Sequence, residues 1–357
     1  MIKKLISLLT VLLCATPSAW AQVGMREVMS QDMHITLIYP TSQISTTQQR
    51  GPFEIEVALN APLSAKARHL IVLSHGTGGN AWVDHALAST LARAGFVVAQ
   101  PEHRGDNARD YSKAGPESWL TRPLEISETI DWVAQDPQWG KQLDLQHVGV
   151  HGMSAGGVSA LVMAGGQWRM LDMVQHCGQH LDEDGGFCMN GLANQPLKQA
   201  LRKARYTLGM NTSEQWLPDN VKALHGAPSP STTSPNPRPD TRVAAVSALV
   251  PLAAIFTPES LSRIAIPLGV TTAGKDEVLL PKFHAERLLA NCSRCTLLSA
   301  HPQAGHFDWL WPWPSELAQK IAALQIRGGM PHADFTAAQR QSGFDRIAAF
   351  FKTNLEP

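Results

Sequence analysis

The sequence predicts an α/β fold, a mostly parallel central sheet with helices on both faces. Three observations predict it. Short apolar runs that read as buried strands alternate with stretches of helical spacing. Each of these strands runs into a loop rich in glycine or histidine. The pentapeptide Gly152-Met153-Ser154-Ala155-Gly156 lies between one such strand and one such helix. Strand–helix alternation leads to a parallel sheet. In such sheets reactive groups gather beyond the carboxyl ends of the strands.

Composition is that of a globular protein: 357 residues, 44% hydrophobic and 17% charged, enough for one large domain. A formal net charge of zero gives no basic field for nucleic acid and no acidic tail. The first residues read as an export signal. Lys3 and Lys4 are followed by the apolar run Leu5–Leu13, too short to span a bilayer, and Ala19-Trp20-Ala21 fits small-x-small cleavage before Gln22. The mature chain, 22–357, is expected in the periplasm or secreted, without a membrane span. In that oxidising setting the remaining cysteines are expected to pair locally, Cys177 with Cys188 and Cys292 with Cys295. Each pair is close in sequence, and Cys292-Ser-Arg-Cys295 has no second C-x-x-C to complete a zinc site.

Residues 33–40 and 53–59 alternate with period two and read as antiparallel strands at a sheet edge. His69–Ser74 reads as a buried strand entering His75-Gly76-Thr77-Gly78-Gly79. A helix is expected over 82–94, ended by Gly95. The strand 96–100 follows and enters Pro101-Glu102-His103-Arg104-Gly105-Asp106. Residues 123–135 read as a helix with Ile126, Ile130 and Val133 on one face. Leu145, Val148 and Val150 mark the strand before Ser154, and the small apolar run 157–164 reads as a helix packed close to it. Residues 167–240 break the alternation. They are polar, carry one helix-like run near 196–208, and end in a Pro/Ser/Thr-rich stretch, 227–239. So long an excursion reads as a cap-like insertion. Core structure resumes with strands at 243–250 and 264–273, a helix at 281–290, a last strand at 296–299 and an amphipathic helix at 336–352, with Phe344, Ile347, Phe350 and Phe351 inward.

A serine on a sharp strand-to-helix turn, with glycines two positions either side, is a nucleophile elbow. The turn strains the serine backbone and leaves no room for bulky neighbours, and the helix start aims backbone N–H groups at any oxyanion formed there. A serine hydroxyl needs a base to take its proton. His306 is the candidate, after the last strand and beside Gly305; His301 is the alternative. The base needs an orienting carboxylate. Asp276, just past a strand, is the candidate, with Glu277 as the alternative; a capping aspartate is a reading that applies to it as well. The oxyanion needs two amide donors, expected from Ala155 and Thr77. Glu102-His103-Arg104 is expected to brace the adjacent loop by ion pairing, and Trp309, Trp311 and Trp313 read as packing residues or as an aromatic wall.

The order Ser154, Asp276, His306 is that of α/β hydrolases. Ser74–Gly79, Pro101–Asn107 and Gly152–Gly157, in series, resemble bacterial relatives of platelet-activating factor acetylhydrolase, which are grouped with dienelactone-hydrolase-like proteins. The resemblance runs from about residue 33 to the end. It implies an α/β-hydrolase fold and carboxylic ester hydrolysis through an acyl-enzyme. It implies Ser154, Asp276 and His306 as the triad and the Thr77 and Ala155 amides as oxyanion donors. Dienelactone hydrolases carry a cysteine nucleophile where this chain has Ser154, which argues against that substrate. The expected partner is a small-molecule ester, with no cofactor and no metal. Amide, peptide or polyester hydrolysis, or a silent binding protein on the same fold, are the other readings.

Overall fold

The computed structural model describes residues 22–190, 195–209 and 237–356. The expected signal segment, and most of the Pro/Ser/Thr-rich run 227–239, lie outside the described residues. The strands are β1 Gln22–Ser30, β2 Met33–Thr41, β3 Thr46–Arg50, β4 Phe53–Leu59, β5 His69–Ser74, β6 Val97–Pro101, β7 Asp144–Met153, β8 Val243–Leu249, β9 Leu268–Ala273 and β10 Cys295–His301. They form one sheet in the order β10-β9-β8-β7-β5-β6-β2-β1-β4-β3. From β6 through β10 the neighbours are parallel. β2 runs antiparallel to both β6 and β1, and β3 antiparallel to β4.

This mixed end corrects the expectation of an antiparallel edge made from 33–40 and 53–59. β2 and β4 are not partners, because β1 lies between them and pairs parallel with β4. β1 escapes period-two reading because its apolar residues Val23, Gly24 and Met25 are consecutive; Gly24 is required where the Tyr39 ring covers the strand, and a β-carbon there would come within 2.4 Å of it.

The side-chain period of two divides each central strand between two cores. From β5, Leu70 and Val72 face one core while Ile71 and Leu73 face the other. The first core lies under the helices α2 (Pro116–Gln135) and α4 (Ala155–Met163). Ile126, Ile130 and Val133 of α2 are fully buried there. The helix starts earlier than its apolar face suggests, because Pro116 sits in its first turn, where no N–H is needed. The second core lies under α1 (His85–Arg93) and the C-terminal helix Ala337–Leu355, which buries Phe344, Ile347, Phe350 and Phe351. Thr336 and Gln339 close that helix's start with a reciprocal capping box.

The insertion after α4 contains more helix than expected: α5 (Met170–His180), α6 (Gly185–Cys188) and α7 (Pro196–Gly209), with the short α3 (Trp139–Gln142) preceding β7. The Cys177–Cys188 disulfide staples α5 to α6, and Cys292–Cys295 closes the turn before β10. Asp184 ties the insertion to the sheet. Its Oδ2 accepts from His176 Nε2 at 2.8 Å and from His284 Nε2 at 3.0 Å. Burial alone would raise the Asp184 pKa, but these donors outweigh it and hold the carboxyl at about 2. His284 is a buried post just ahead of the helix Ala285–Asn291. Its Nδ1 accepts from the Ala253 amide at 3.1 Å, which leaves Nε2–H for Asp184. Burial lowers its pKa and keeps it neutral. No described helix is long and apolar enough to cross a membrane.

Asp84, immediately before α1, is buried with Oδ2 lacking a partner, and burial raises its pKa to about 7. A carboxyl whose folded pKa exceeds its unfolded value destabilises the fold increasingly as pH rises between the two. Asp84→Asn should therefore raise Tm clearly at pH 8, corresponding to a gain of order 2–4 kcal/mol, and leave it almost unchanged below pH 4. Thermal unfolding at both pH values checks this; a pH-independent effect would contradict it.

Candidate active site

The site begins with a steric demand. β7 ends at Met153, α4 begins at Ala155, and Ser154 between them has φ 55° and ψ −116°. This is a left-handed backbone that a non-glycine residue adopts only under strong constraint. The flanking glycines make the turn possible. A β-carbon at position 152 would come within 2.1 Å of the Gly156 carbonyl oxygen, and one at 156 within 2.0 Å of the Ser74 carbonyl oxygen. Helix α4 thus lies directly on the end of β5, and the Ser154 hydroxyl stands at the helix N-terminus.

The serine meets its partners across long stretches of chain. His306, after β10, has Nε2 2.9 Å from Ser154 Oγ. Its Nδ1 lies 2.7 Å from Asp276 Oδ2, after β9. The carboxylate accepts Nδ1–H, so Nε2 is the acceptor for the serine hydroxyl. Asp276 and His306 are almost wholly buried. Asp276 caps no helix; its Oδ1 accepts from the Val278 and Leu279 amides at 2.9 and 2.7 Å in a turn, while Oδ2 faces the imidazole. Glu277, the alternative acid, is exposed. His301, the alternative base, is bonded to Ser299 and packed edge-on against Trp309 and Phe335.

The loop after β5 passes beside the serine; a β-carbon on Gly76 would sit 3.6 Å from Ser154 Cβ. Among the described residues, neither the Thr77 nor the Ala155 amide has a hydrogen-bond acceptor. Both N–H groups therefore remain free for an incoming oxygen, one from the loop and one from the first turn of α4. Beneath the loop, His75 Nε2 accepts from the His103 amide at 3.2 Å, so its Nδ1–H donates to the Gly76 carbonyl at 2.7 Å. Burial lowers the His75 pKa well below the usual range, in accord with a neutral ring.

Glu102-His103-Arg104 does brace this region, each residue with its own partner. Glu102 pairs with Arg109, and Arg104 with Glu128 and Asp32. His103 lies in a buried chain, accepting from Ser74 Oγ–H at Nε2 and donating from Nδ1 to Glu125 Oε2, both at 2.7 Å. This chain copies the serine–histidine–acid pattern but has no exposed surface, so it cannot meet a substrate.

One supporting residue escaped sequence reading. Asp308 Oδ2 accepts from the Gly305 amide at 2.7 Å and faces His332 Nδ1 at 2.9 Å, which fixes the loop bearing His306. Its aspartate-after-aromatic context gives no local signal. Trp309 and Trp313 are buried as packing residues, and Trp311 is half-buried. The four described cysteines are all in disulfides, so they supply no thiolate. His176, Asp184 and Cys188 lie within 4.8 Å of one another, but that sulfur is held by Cys177.

The strand order, the elbow and the parallel core define an α/β-hydrolase fold. Residues 23–116 match the family model for platelet-activating factor acetylhydrolase, isoform II. The chain is similar in fold to a ferulic acid esterase from Streptomyces cinnamoneus, with a TM-score of 0.56 and 16% sequence identity over 96% of this chain and 92% of that one. No curated protein matches the sequence.

The closeness of α4 to β5 gives a direct test. Gly156→Ala should abolish soluble, active protein or cut any esterase activity at least about a hundred-fold, because the displaced group is backbone. Gly185→Ala, with nothing within 4 Å of the added carbon, should leave both unchanged. Equal behaviour of the two variants would contradict this packing.

Proposed function

We propose that the chain is a cofactor-free serine hydrolase that cleaves carboxylic esters of small molecules. The single observation that supports this best is the continuous hydrogen-bonded line Ser154–His306–Asp276 beside two unspent amides. The family match and the fold likeness to a ferulic acid esterase point to the same bond.

In this reading Ser154 Oγ attacks the ester carbonyl while His306 Nε2 takes its proton. Negative charge forms on the former carbonyl oxygen, where the Thr77 and Ala155 amides and the α4 dipole stabilise it. His306 then gives its proton to the leaving alkoxide, and an acyl-Ser154 ester remains. Water then attacks the acyl carbonyl as His306 removes its proton, and the same two amides hold the second oxyanion until His306 returns that proton to the departing Ser154 oxygen and the carboxylic acid is released. Asp276 fixes the tautomer and stabilises the imidazolium throughout. The insertion is proposed to wall one side of the substrate site, because Gly186 lies against the carbonyls of Glu277 and Val278.

Export to the periplasm or beyond belongs to the same proposal. It is supported by the segment 1–21 and by disulfides, which persist in oxidising compartments.

Ser154→Ala should lower kcat on p-nitrophenyl acetate by about 10⁴-fold or more with little change in thermal stability. A graded panel up to octanoate, with methyl ferulate as an aryl-acyl member, reads the acyl preference. Full activity in Ser154→Ala would overturn the assignment. Mass spectrometry of protein recovered outside the cytoplasm should find Gln22 as the first residue; an intact Met1 there would contradict the export reading.

A further inference from the structure

Arg122 lies on α2, well away in sequence from any residue of the reaction, yet its guanidinium is completely buried beneath the loop that carries Thr77. Nη1 donates to the His75 carbonyl at 2.6 Å. Nη2 donates to Asp106 Oδ2 at 2.7 Å, to the Asp106 carbonyl at 3.3 Å and to the Gly76 carbonyl at 3.4 Å. Asp106 completes the clamp from the other side. Its Oδ1 accepts from the Gly78 amide at 2.8 Å, and its Oδ2 from Ser118 Oγ–H at 2.6 Å.

The geometry of a trans peptide gives this arrangement its consequence. The carbonyl of Gly76 and the amide of Thr77 belong to one planar unit and point in opposite directions. Three donors gather on that carbonyl: His75 Nδ1–H at 2.7 Å, the Gly79 amide at 3.1 Å and Arg122. Holding the oxygen inward turns the Thr77 N–H outward, away from the core. The same donors draw electron density onto the oxygen and leave the N–H a stronger donor. A buried ion pair adds little net stability, since desolvation offsets most of its attraction. Apolar side chains could fill the same volume, but they could not hold inward-facing carbonyls. Because Asp106 neutralises the guanidinium, its action is local and directional.

We propose that Arg122 is a positioning residue for ester hydrolysis, holding and polarising the Gly76–Thr77 peptide so that its amide meets the oxyanion. This rests on the esterase reading above.

Two variants test it. Arg122→Lys keeps the charge but loses the planar fork. The pair Asp106→Asn with Arg122→Gln removes both charges, avoids a stranded carboxylate, and keeps amide donors of similar shape. Each is assayed on p-nitrophenyl acetate, with rates divided by the burst amplitude that counts working sites, and with Tm measured in parallel. We expect kcat per working site to fall about ten-fold or more in both variants, with KM within about two-fold of wild type. Binding of a trifluoromethyl ketone, which adds to the serine as an oxyanion, should weaken by the same factor. The matching methyl ketone, bound without that charge, should bind as before. Arg122→Lys carries the same test should the neutral pair fail to fold. Per-site kcat within about two-fold of wild type, or equal weakening of both ketones, would reduce Arg122 to a structural role and overturn the proposal. A wild-type enzyme with no burst and no turnover would instead sink the esterase reading itself; a wild-type burst with unaffected variants sinks only this inference.

Discussion

The reactive end of the molecule depends on one close approach, that of helix α4 to the carboxyl end of β5. Gly156 lies so near the Ser74 carbonyl that no side chain fits between them. That contact forces the turn at Ser154 into its left-handed conformation and stands the hydroxyl above the helix N-terminus. It also sets the serine close beside the loop after β5, where a β-carbon on Gly76 would lie 3.6 Å from Ser154 Cβ. The backbone strain at Ser154 is therefore held by packing on both sides rather than by the turn alone.

Around this contact the protein places its buried polar groups in supporting chains. Ser74, His103 and Glu125 anchor the end of β5. Arg122 and Asp106 hold the loop beyond it. Asp308 fixes the turn before His306, and His284 joins the amides after β8 to Asp184 of the insertion. The neutral state of His75, His103 and His284, which burial enforces, lets each ring donate from one nitrogen and accept at the other. Each chain thus connects a strand end to an element distant in sequence, which is the rigidity a preorganised site requires.

Much of this was legible in the sequence, for identifiable reasons. The parallel core announced itself through apolar runs such as His69–Ser74 because a strand buried on both faces tolerates little else. Ser154, Asp276 and His306 drew attention because each follows a strand and stands near glycine, and in the structure they form one hydrogen-bonded line. The local pairing of the cysteines likewise followed from their spacing. What escaped had no local signature. β1 lacks alternation, and its place between β2 and β4 depends on pairing rather than pattern. Arg122 lies just ahead of the stretch 123–135 that reads as an ordinary amphipathic helix, and its meaning lies in carbonyls nearly fifty residues earlier. His284 gives no signal of its role because its partner, Asp184, belongs to an insertion whose sequence gives no hint of where it docks.

We propose that Ser154 is made the reactive serine of the chain by where the fold puts it. Peptide mapping by mass spectrometry, after reaction with a fluorophosphonate, tests that claim most directly. One phosphonyl adduct per chain is expected, on the peptide containing Gly152–Gly157, and none when His306 is replaced by alanine. An adduct on another serine, such as Ser74, or labelling indifferent to His306, would contradict it.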